Sequence, residues 1–272
     1  MSNLSNFNYT LSGLKEGPKL VFLHGLMGSA ANWRRIRPAF EQGYQVLTYD
    51  QRGHGRSFQP KTGYAPDDFA DDLKNILDEL DWAEPIYLVG HSMGGRNALN
   101  FTHRFCERVK ALVIEDIAPN GNLDNLERMK FLVNVVPVPF ENKAAARAFF
   151  KGPFQEAIGP GKSADVLAQY FYTNITTNDQ GQAIWRFYRE GIIESVVQGR
   201  AQDRWDEIQG LKKPTLVIRG ENSDELTVEH FEKMQSLNSN VNGVEIKNAG
   251  HWVHSDQPEE FIQVIKGFFS QI

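Results

Sequence analysis

A serine between glycines is the first feature of the chain that could do chemistry. Residues 90–95 read GHSMGG and carry the pattern G-x-S-x-G. They follow an apolar run and precede a helical stretch, which is the strand–turn–helix context that this pattern requires. The turn is too tight for flanking side chains, so Gly90 and Gly94 relieve the crowding and present the Ser92 hydroxyl above the sheet. A serine that only caps a helix would not need these glycines. We therefore predict that Ser92 is a nucleophile.

A serine hydroxyl needs a base that takes its proton. The segment 248–252, NAGHW, places His251 in a loop between a short apolar run at 244–246 and the final helical pattern. A late histidine also fits the chain order nucleophile, acid, histidine. His254 lies three residues further on and lacks the preceding Ala-Gly. We predict His251 as the general base and His254 as a structural residue.

An acyl-transfer site also needs two backbone N–H groups that hold the developing oxyanion. One is expected from Met93, the residue after the nucleophile. The other is expected from Leu26, in the loop that follows the apolar run 20–23. Gly25 and Gly28 let this loop approach a ligand closely. Loss of one such donor typically slows turnover by about 10²–10³-fold. His24, beside this loop, is predicted to be structural.

The elements that must position these residues alternate along the chain. Five short apolar runs read as buried parallel strands, because their hydrophobicity is continuous rather than alternating. These runs are 20–23, 46–49, 86–89, 111–114 and 215–218. Helical patterns separate them, with Asp67 and Asp68 in the first turn of one and Pro258 at the start of the last. Strands that alternate with helices predict an α/β fold with a mostly parallel central sheet flanked by helices.

The alternation stops near Pro119 and resumes at Thr215. Between 119 and 205 the chain reads as helices rich in aromatic residues. We predict a helical cap (lid) at 119–205, inserted into a core domain made of 1–118 and 206–272. Aromatic residues imply an apolar pocket. The residues predicted to bind substrate are Arg96, Phe131, Trp185, Tyr188 and Trp252. Arg96 would pair with a substrate charge or with a carboxylate of the cap.

Composition excludes several classes of function. The net charge is −5 without a basic stripe, so a nucleic-acid partner is not expected. No apolar run approaches the ~18 residues of a membrane span, and the first residues do not resemble a signal peptide. Cys106 is the only cysteine, and the histidines are scattered. We therefore expect a cytoplasmic enzyme without a metal or another cofactor, acting on a small molecule. The sequence does not indicate an oligomeric state.

Together these motifs resemble the α/β-hydrolase superfamily. The resemblance rests on 24–25 (HG), 49–57 (YDQRGHGRS), 90–95 (GHSMGG) and 250–251 (GH), in that order. It implies that 50–57 is a structural turn. The segments 24–29, 94–96, 115–119, 219–223 and 249–254 further resemble a group of small bacterial esterases related to mitochondrial abhydrolase-domain proteins. This narrower resemblance implies hydrolysis of carboxyl esters or thioesters of short to medium acyl chains, without a cofactor.

The acid that orients His251 has two candidates. In most members of the superfamily it lies three residues after a glycine like Gly220, but Ser223 occupies that position here. Asp224 is one residue late, and a one-residue shift can turn a side chain to the opposite side. In the narrower esterase group the acid is expected at Asp116, after the apolar run 111–114. We predict Asp116 and retain Asp224 as the alternative. Strand alternation points Glu115 the other way, so we predict that it is structural.

The predicted reaction is two-step acyl transfer through an acyl-enzyme. The chain is therefore predicted to be a carboxylesterase-type serine hydrolase that acts on an ester substrate. A thioesterase, a cofactor-free perhydrolase or a carbon–carbon bond hydrolase would use the same three residues. An epoxide hydrolase or haloalkane dehalogenase would need an aspartate where Ser92 stands. A non-catalytic ligand receptor on the same scaffold is the alternative from another class.

Overall fold

The structure is a computed structural model that describes residues 3–124, 126–159 and 162–272. The described strands are β1 Tyr9–Gly13, β2 Lys19–Leu23, β3 Gln45–Tyr49, β4 Ile86–His91, β5 Val109–Glu115, β6 Ile175–Thr177, β7 Ala183–Trp185, β8 Thr215–Gly220 and β9 Val241–Ile246. Seven of them form one sheet in the order β1-β3-β2-β4-β5-β8-β9. All neighbours in it are parallel except β1 and β3. The prediction of a mostly parallel sheet is confirmed.

Helices cover both faces of this sheet. Their bounds are α1 Pro66–Glu79, α2 Met93–Arg104, α3 Leu126–Asn134, α4 Lys143–Lys151, α5 Pro153–Ile158, α6 Lys162–Thr173, α7 Arg189–Arg200, α8 Trp205–Gln209, α9 Val228–Leu237, α10 Val253–Asp256 and α11 Pro258–Phe269. Side chains of a strand point alternately to the two faces. In β4, Ile86 and Leu88 join the core against α1 and α2, while Val89 joins the core against α11. This double burial explains why the strands read as continuous apolar runs.

The sequence did not predict β1, the first strand of the sheet. β1 pairs antiparallel with β3 at the edge of the sheet, from Tyr9 opposite Tyr49 to Gly13 opposite Gln45. Its residues are half-buried or exposed and mix polar with apolar types. An edge strand of this kind lacks the apolar signal of the buried strands.

Between β5 and β8 the chain leaves the sheet. This segment holds α3 to α8 and an antiparallel hairpin of β6 and β7, in which Ile175 lies opposite Trp185. It has an apolar core of its own, which includes Phe150, Phe154 and Phe171. The expectation of helices alone was wrong for the hairpin, since Trp185 lies on a strand. The domain limits at 119 and 205 stay a prediction.

Candidate active site

Ser92 lies at a sharp turn between β4 and α2. Its backbone has φ +53° and ψ −120°, a left-handed conformation that a non-glycine residue adopts only at a cost of about 1–3 kcal/mol. The Ser92 N–H donates to the Glu115 carbonyl over 2.9 Å, which ties the turn to the end of β5. The residue is only 8% exposed, and it lines a cavity between the sheet and the segment that follows β5.

The glycines of this turn are required by close backbone approach. A Cβ on Gly90 would lie 2.2 Å from the Gly94 carbonyl oxygen, and a Cβ on Gly94 would lie 2.4 Å from the Leu23 carbonyl oxygen. Both contacts are shorter than packed atoms tolerate. Gly25 serves the same purpose on the facing loop, because a Cβ there would lie 2.7 Å from His91 Nδ1. These glycines therefore let the loop after β2 approach the turn that carries Ser92.

Leu26 and Met93, the predicted oxyanion donors, line the same cavity as Ser92. Met93 is the first residue of α2, and the first N–H groups of a helix have no partner within it. The positive end of the α2 dipole also favours negative charge at this point. The Leu26 carbonyl accepts a hydrogen bond of 2.8 Å from the Tyr170 hydroxyl, which fixes the loop after β2.

The structure brings His251 and Asp116 together. His251 Nδ1 lies 2.8 Å from Asp116 Oδ2, and His251 lines the cavity that holds Ser92. The Asp116 side chain is completely buried, whereas that of His251 is 18% exposed. No hydrogen bond joins the Ser92 hydroxyl to the His251 ring among the described residues. Bonds of this kind tighten in the complex with substrate.

Two further groups hold the Asp116 carboxylate. The Gly220 N–H donates to Oδ1 over 2.9 Å, and the Ser223 hydroxyl donates to Oδ2. Asp116 itself has φ +52°, a conformation that aspartate tolerates better than most residues. Ser223 stands where the sequence analysis found the usual acid missing. Its hydroxyl therefore contacts Asp116, the carboxylate beside His251 Nδ1, and the sequence did not indicate this contact.

Asp224, the alternative acid, lies elsewhere. Its side chain is exposed, and among the described residues it makes no hydrogen bond or ion pair with His251. The neighbouring Ser223 is buried against Asp116, and the next residue, Glu225, forms an ion pair of 2.7 Å with Arg200. The geometry therefore favours Asp116 as the partner of His251.

The cavity around Ser92 has a volume of about 220 Å³ and a largely apolar lining. Its apolar lining residues are Leu26, Met27, Tyr64, Pro66, Phe69, Met93, Ile117, Tyr170, Val196 and Trp252. Trp252 was predicted to bind substrate, and it lies there. Several other lining residues come from α1, from the turn at Ile117 and from α7. The spacing of apolar residues in the sequence did not indicate that these residues line a cavity, because helix faces that pack in the core have the same spacing.

Three predicted substrate-binding residues do not line this cavity as described. Phe131 is 49% exposed on α3. Trp185 stacks on Phe187 at 4.7 Å and is buried within the core of the segment after β5. Tyr188 contacts Tyr64, which does line the cavity, at 6.3 Å between ring centroids. The structure does not place these three residues at this cavity, and their role in substrate binding stays a prediction. Residue type and spacing alone do not indicate which side chains of an inserted segment turn toward the sheet.

Arg96 lines the cavity but does not pair with a carboxylate of the predicted cap. Its guanidinium donates to the Gly199 carbonyl over 3.0 Å and to the Asn120 carbonyl over 2.8 Å. Burial, and then the nearby Arg200, lower the pKa of Arg96 to about 9. Arg96 therefore joins α2 to backbone carbonyls at both ends of the segment after β5.

A second acid–histidine pair lies behind the first. The Glu115 carboxylate accepts hydrogen bonds of 2.9 Å from the His254 N–H and of 2.8 Å from His254 Nδ1. Both side chains are buried, and the His254 ring packs 4.7 Å from Trp33. Potential ligand atoms of His91, Glu115 and His254 lie within 4.8 Å of one another, which the sequence analysis did not foresee. Hydrogen bonds to protein groups already engage all three side chains.

His91 contacts both pairs. Its Nε2 lies 2.9 Å from the His251 carbonyl, and its ring centroid lies 4.7 Å from that of His251 and 4.9 Å from that of His254. Burial, and then the two neighbouring histidines, hold the pKa of His91 well below its usual range. A neutral His91 can donate from Nε2 to the carbonyl. This contact ties the backbone of His251 to the residue next to Ser92.

His54 of the predicted structural turn and the neighbouring His24 are both completely buried. The Gln51 N–H donates to His24 Nε2 over 2.9 Å, so the opposite nitrogen of His24 carries the proton and donates to the Gly25 carbonyl. Burial, and then His24, lower the pKa of His54 to about 3. Asp50 accepts from the Ala30 and Arg56 N–H groups over 2.7 and 2.9 Å. These contacts hold the turn.

The sequence profile of the family described as alpha/beta hydrolase fold matches residues 18–258. The chain belongs to this family. The sn-1-specific diacylglycerol lipase ABHD11 of Mus musculus is 30% identical over 265 residues, which cover 96% of this chain and 83% of the lipase. The 2-(acetamidomethylene)succinate hydrolase of Mesorhizobium japonicum is 26% identical over 253 residues, which cover 93% of this chain and 88% of that hydrolase.

A solved structure agrees with this family assignment. A marine microorganism esterase superposes with a TM-score of 0.82 at 27% identity, covering 96% of this chain and 98% of the esterase. The protein is thus a hydrolase of the α/β-hydrolase fold with esterase and lipase relatives. No helix within the described ranges is long and apolar enough to cross a membrane.

Proposed function

We propose that this α/β-hydrolase is a serine esterase that cleaves carboxyl esters of short to medium acyl chains through an acyl-enzyme intermediate. One observation carries the proposal. Ser92, at a strained turn, shares a cavity with His251, whose Nδ1 lies 2.8 Å from the buried carboxylate of Asp116. Nucleophile, base and orienting acid in this arrangement are what acyl transfer from an ester needs.

The proposed first step is acylation. Ser92 Oγ attacks the ester carbonyl while His251 takes its proton, and the N–H groups of Leu26 and Met93 stabilise the oxyanion. His251 then gives the proton to the leaving alcohol as the carbon–oxygen bond breaks. Asp116 keeps the imidazole in the required tautomer and stabilises its cation.

The proposed second step is deacylation by water. His251 removes a proton from water, the hydroxide attacks the acyl carbon, and Ser92 leaves with its proton restored. The cavity of about 220 Å³ is smaller than the ~300–1,000 Å³ that holds drug-sized ligands. Its apolar lining and small size favour short to medium acyl chains. A thioester would follow the same two steps with a thiol as the leaving group.

The test is turnover of p-nitrophenyl butyrate by the wild type and by Ser92→Ala. We expect measurable wild-type activity that falls by about 10⁶-fold in the variant, as for other serine nucleophiles. Ser236→Ala, at an exposed serine of α9, is the matched control and should behave like the wild type. A graded series from p-nitrophenyl acetate to palmitate should peak at the shorter chains. Absence of wild-type turnover, or equal turnover by Ser92→Ala, would contradict the proposal.

A further inference from the structure

A second, larger cavity adjoins the one that holds Ser92. Its volume is about 850 Å³, and it opens between the loop after β2, the loop that carries His251, and the helices α4 and α6. Met27, Tyr170 and Trp252 line both cavities. The rings of Tyr170 and Trp252 lie 5.2 Å apart, so a single layer of side chains divides the two spaces. We call the larger cavity the outer groove.

The outer groove carries a charge opposite to that of the whole chain. Its charged lining residues are Arg34, Arg35, Lys143, Arg186 and Asp256. Four of them are cationic, although the chain has a net charge of −5. The acid among them, Asp256, accepts a hydrogen bond of 2.8 Å from the Gly250 N–H. A concentrated positive potential in an acidic protein attracts an anionic ligand to this place.

Most of these cations have no acidic partner among the residues that the structure describes. Arg35 forms an ion pair of 2.9 Å with Glu259, in which both side chains are mostly exposed. Arg34, Lys143 and Arg186 make no ion pair within the part of the chain that the structure describes, and Arg186 is half-buried. A half-buried guanidinium without a carboxylate loses hydration and gains no compensating charge. A bound anion would supply that charge.

The outer groove lies on the side of the site toward which the leaving group would extend. In the proposed reaction His251 protonates the leaving atom, so the leaving group must extend past His251. Trp252 is the next residue, and its ring lies 5.4 Å from that of His251 and also lines the outer groove. The small apolar cavity suits the acyl chain. The larger groove beyond Trp252, which is more polar than the small cavity, suits the other half of the substrate.

We propose that the outer groove binds a leaving group that carries phosphate. This inference rests on the proposed function. Guanidinium and ammonium groups bind phosphate oxygens through charge-assisted hydrogen bonds. The preferred substrate is then an acyl ester of a phosphorylated alcohol or an acyl thioester of a phosphorylated thiol. Ser92 Oγ bonds to the acyl carbon, the carbon–oxygen or carbon–sulfur bond breaks, and the Ser92 proton passes through His251 to the leaving atom. Water completes hydrolysis to the free acid.

Two matched substrate pairs test the charge preference. Butyryl-coenzyme A is compared with the neutral thioester of butyrate and N-acetylcysteamine, and 1-butyryl-glycerol 3-phosphate is compared with 1-monobutyrin. We expect a higher kcat/KM for the phosphorylated member of at least one pair, with a ratio that falls as ionic strength rises. A preference in the first pair identifies a phosphorylated thiol as the leaving group, and one in the second identifies a phosphorylated alcohol. Equal kcat/KM values within both pairs would overturn the inference.

Variants that remove positive charges test whether the outer groove causes the preference for phosphorylated substrates. The triple variant Arg34→Gln/Lys143→Gln/Arg186→Gln should lower the ratio of phosphorylated to neutral kcat/KM by at least about tenfold, since each exposed charge pair contributes up to about fivefold. Lys151→Gln, at the other end of α4 and outside the lining, is the matched control and should keep the wild-type ratio. An unchanged ratio in the triple variant would also overturn the inference. If the outer groove does not bind phosphate, the enzyme should still turn over p-nitrophenyl butyrate. If the proposed esterase function is wrong, that turnover should be absent.

Discussion

Two acid–histidine pairs of similar geometry lie side by side in this protein, and of the two histidines only His251 lines the cavity that holds Ser92. Asp116 and Glu115 are consecutive at the end of β5, and each carboxylate lies 2.8 Å from Nδ1 of a histidine in the same short segment. His251 is 18% exposed at the cavity that holds Ser92, whereas His254 is 4% exposed and packs on Trp33. Hydrogen-bond geometry alone therefore does not distinguish the two pairs, whereas access to the cavity that holds Ser92 does.

The largest expected effect comes from breaking the pair at the cavity. Asp116→Asn should lower kcat for p-nitrophenyl butyrate by about 10⁴-fold, because the histidine loses its preferred tautomer and the stabilisation of its cation. The melting temperature is measured in parallel and should change little. Asp224→Asn, at the exposed neighbouring acid, is the control and should retain kcat within about twofold. A collapse of turnover in Asp224→Asn alone would show that the acid has been assigned wrongly.

Breaking the buried pair should instead lower stability. Glu115→Leu removes the carboxylate that accepts from the His254 N–H and Nδ1. It should lower the free energy of unfolding by about 2–6 kcal/mol, measured by urea denaturation, because each of the two buried donors left unsatisfied costs about 1–3 kcal/mol. The double variant Glu115→Leu/His254→Phe should regain part of this loss, since an apolar pair of similar volume needs no ionic partner. The folded Glu115→Leu enzyme should keep kcat within about tenfold. If Glu115→Leu kept the stability of the wild type and lost as much turnover as Asp116→Asn, the roles assigned to the two pairs would be wrong.

A substitution at Ser223 removes one hydrogen bond from the pair of Asp116 and His251 without removing either partner. Its hydroxyl donates to Asp116 Oδ2, the oxygen that also faces His251 Nδ1. Ser223→Ala should lower kcat by about tenfold, because a hydrogen bond to a charged group contributes roughly 1.5–3 kcal/mol. KM should stay close to the wild-type value, since Ser223 does not line the cavity as described. A change in KM at constant kcat would contradict this positioning role.

The smallest expected effect concerns pH. The pKa of His54 is lowered from 6.5 to about 3 by burial, so the folded protein binds fewer protons than the unfolded chain between these values. Stability should therefore fall as pH decreases below 6.5, by about 1.4 kcal/mol for each pH unit from this histidine. The free energy of unfolding is compared at pH 7.0 and 5.5. Between these pH values the free energy of unfolding should decrease by about 1.4 kcal/mol less in His54→Gln than in the wild type. An identical decrease in both proteins would contradict the effect assigned to His54.

Features that depend on local sequence were predictable. The turn at Ser92 follows from its glycines and the strand before it, and the buried strands follow from continuous apolar runs. The edge strand Tyr9–Gly13 was missed because a half-exposed strand lacks that signal. The pairing of Glu115 with His254 and the contact of Ser223 with Asp116 join residues more than 100 positions apart. The orientation of Phe131 and Trp185 depends on how the inserted segment packs, which periodicity does not specify.

Covalent labelling tests directly whether Ser92 is the nucleophile. The enzyme is treated with a fluorophosphonate, digested, and mapped by mass spectrometry. We expect one adduct per chain, on the peptide that contains Ser92, with labelling absent in Ser92→Ala and slowed by orders of magnitude in Asp116→Asn. An adduct on another residue, or equal labelling of the wild type and Ser92→Ala, would contradict it.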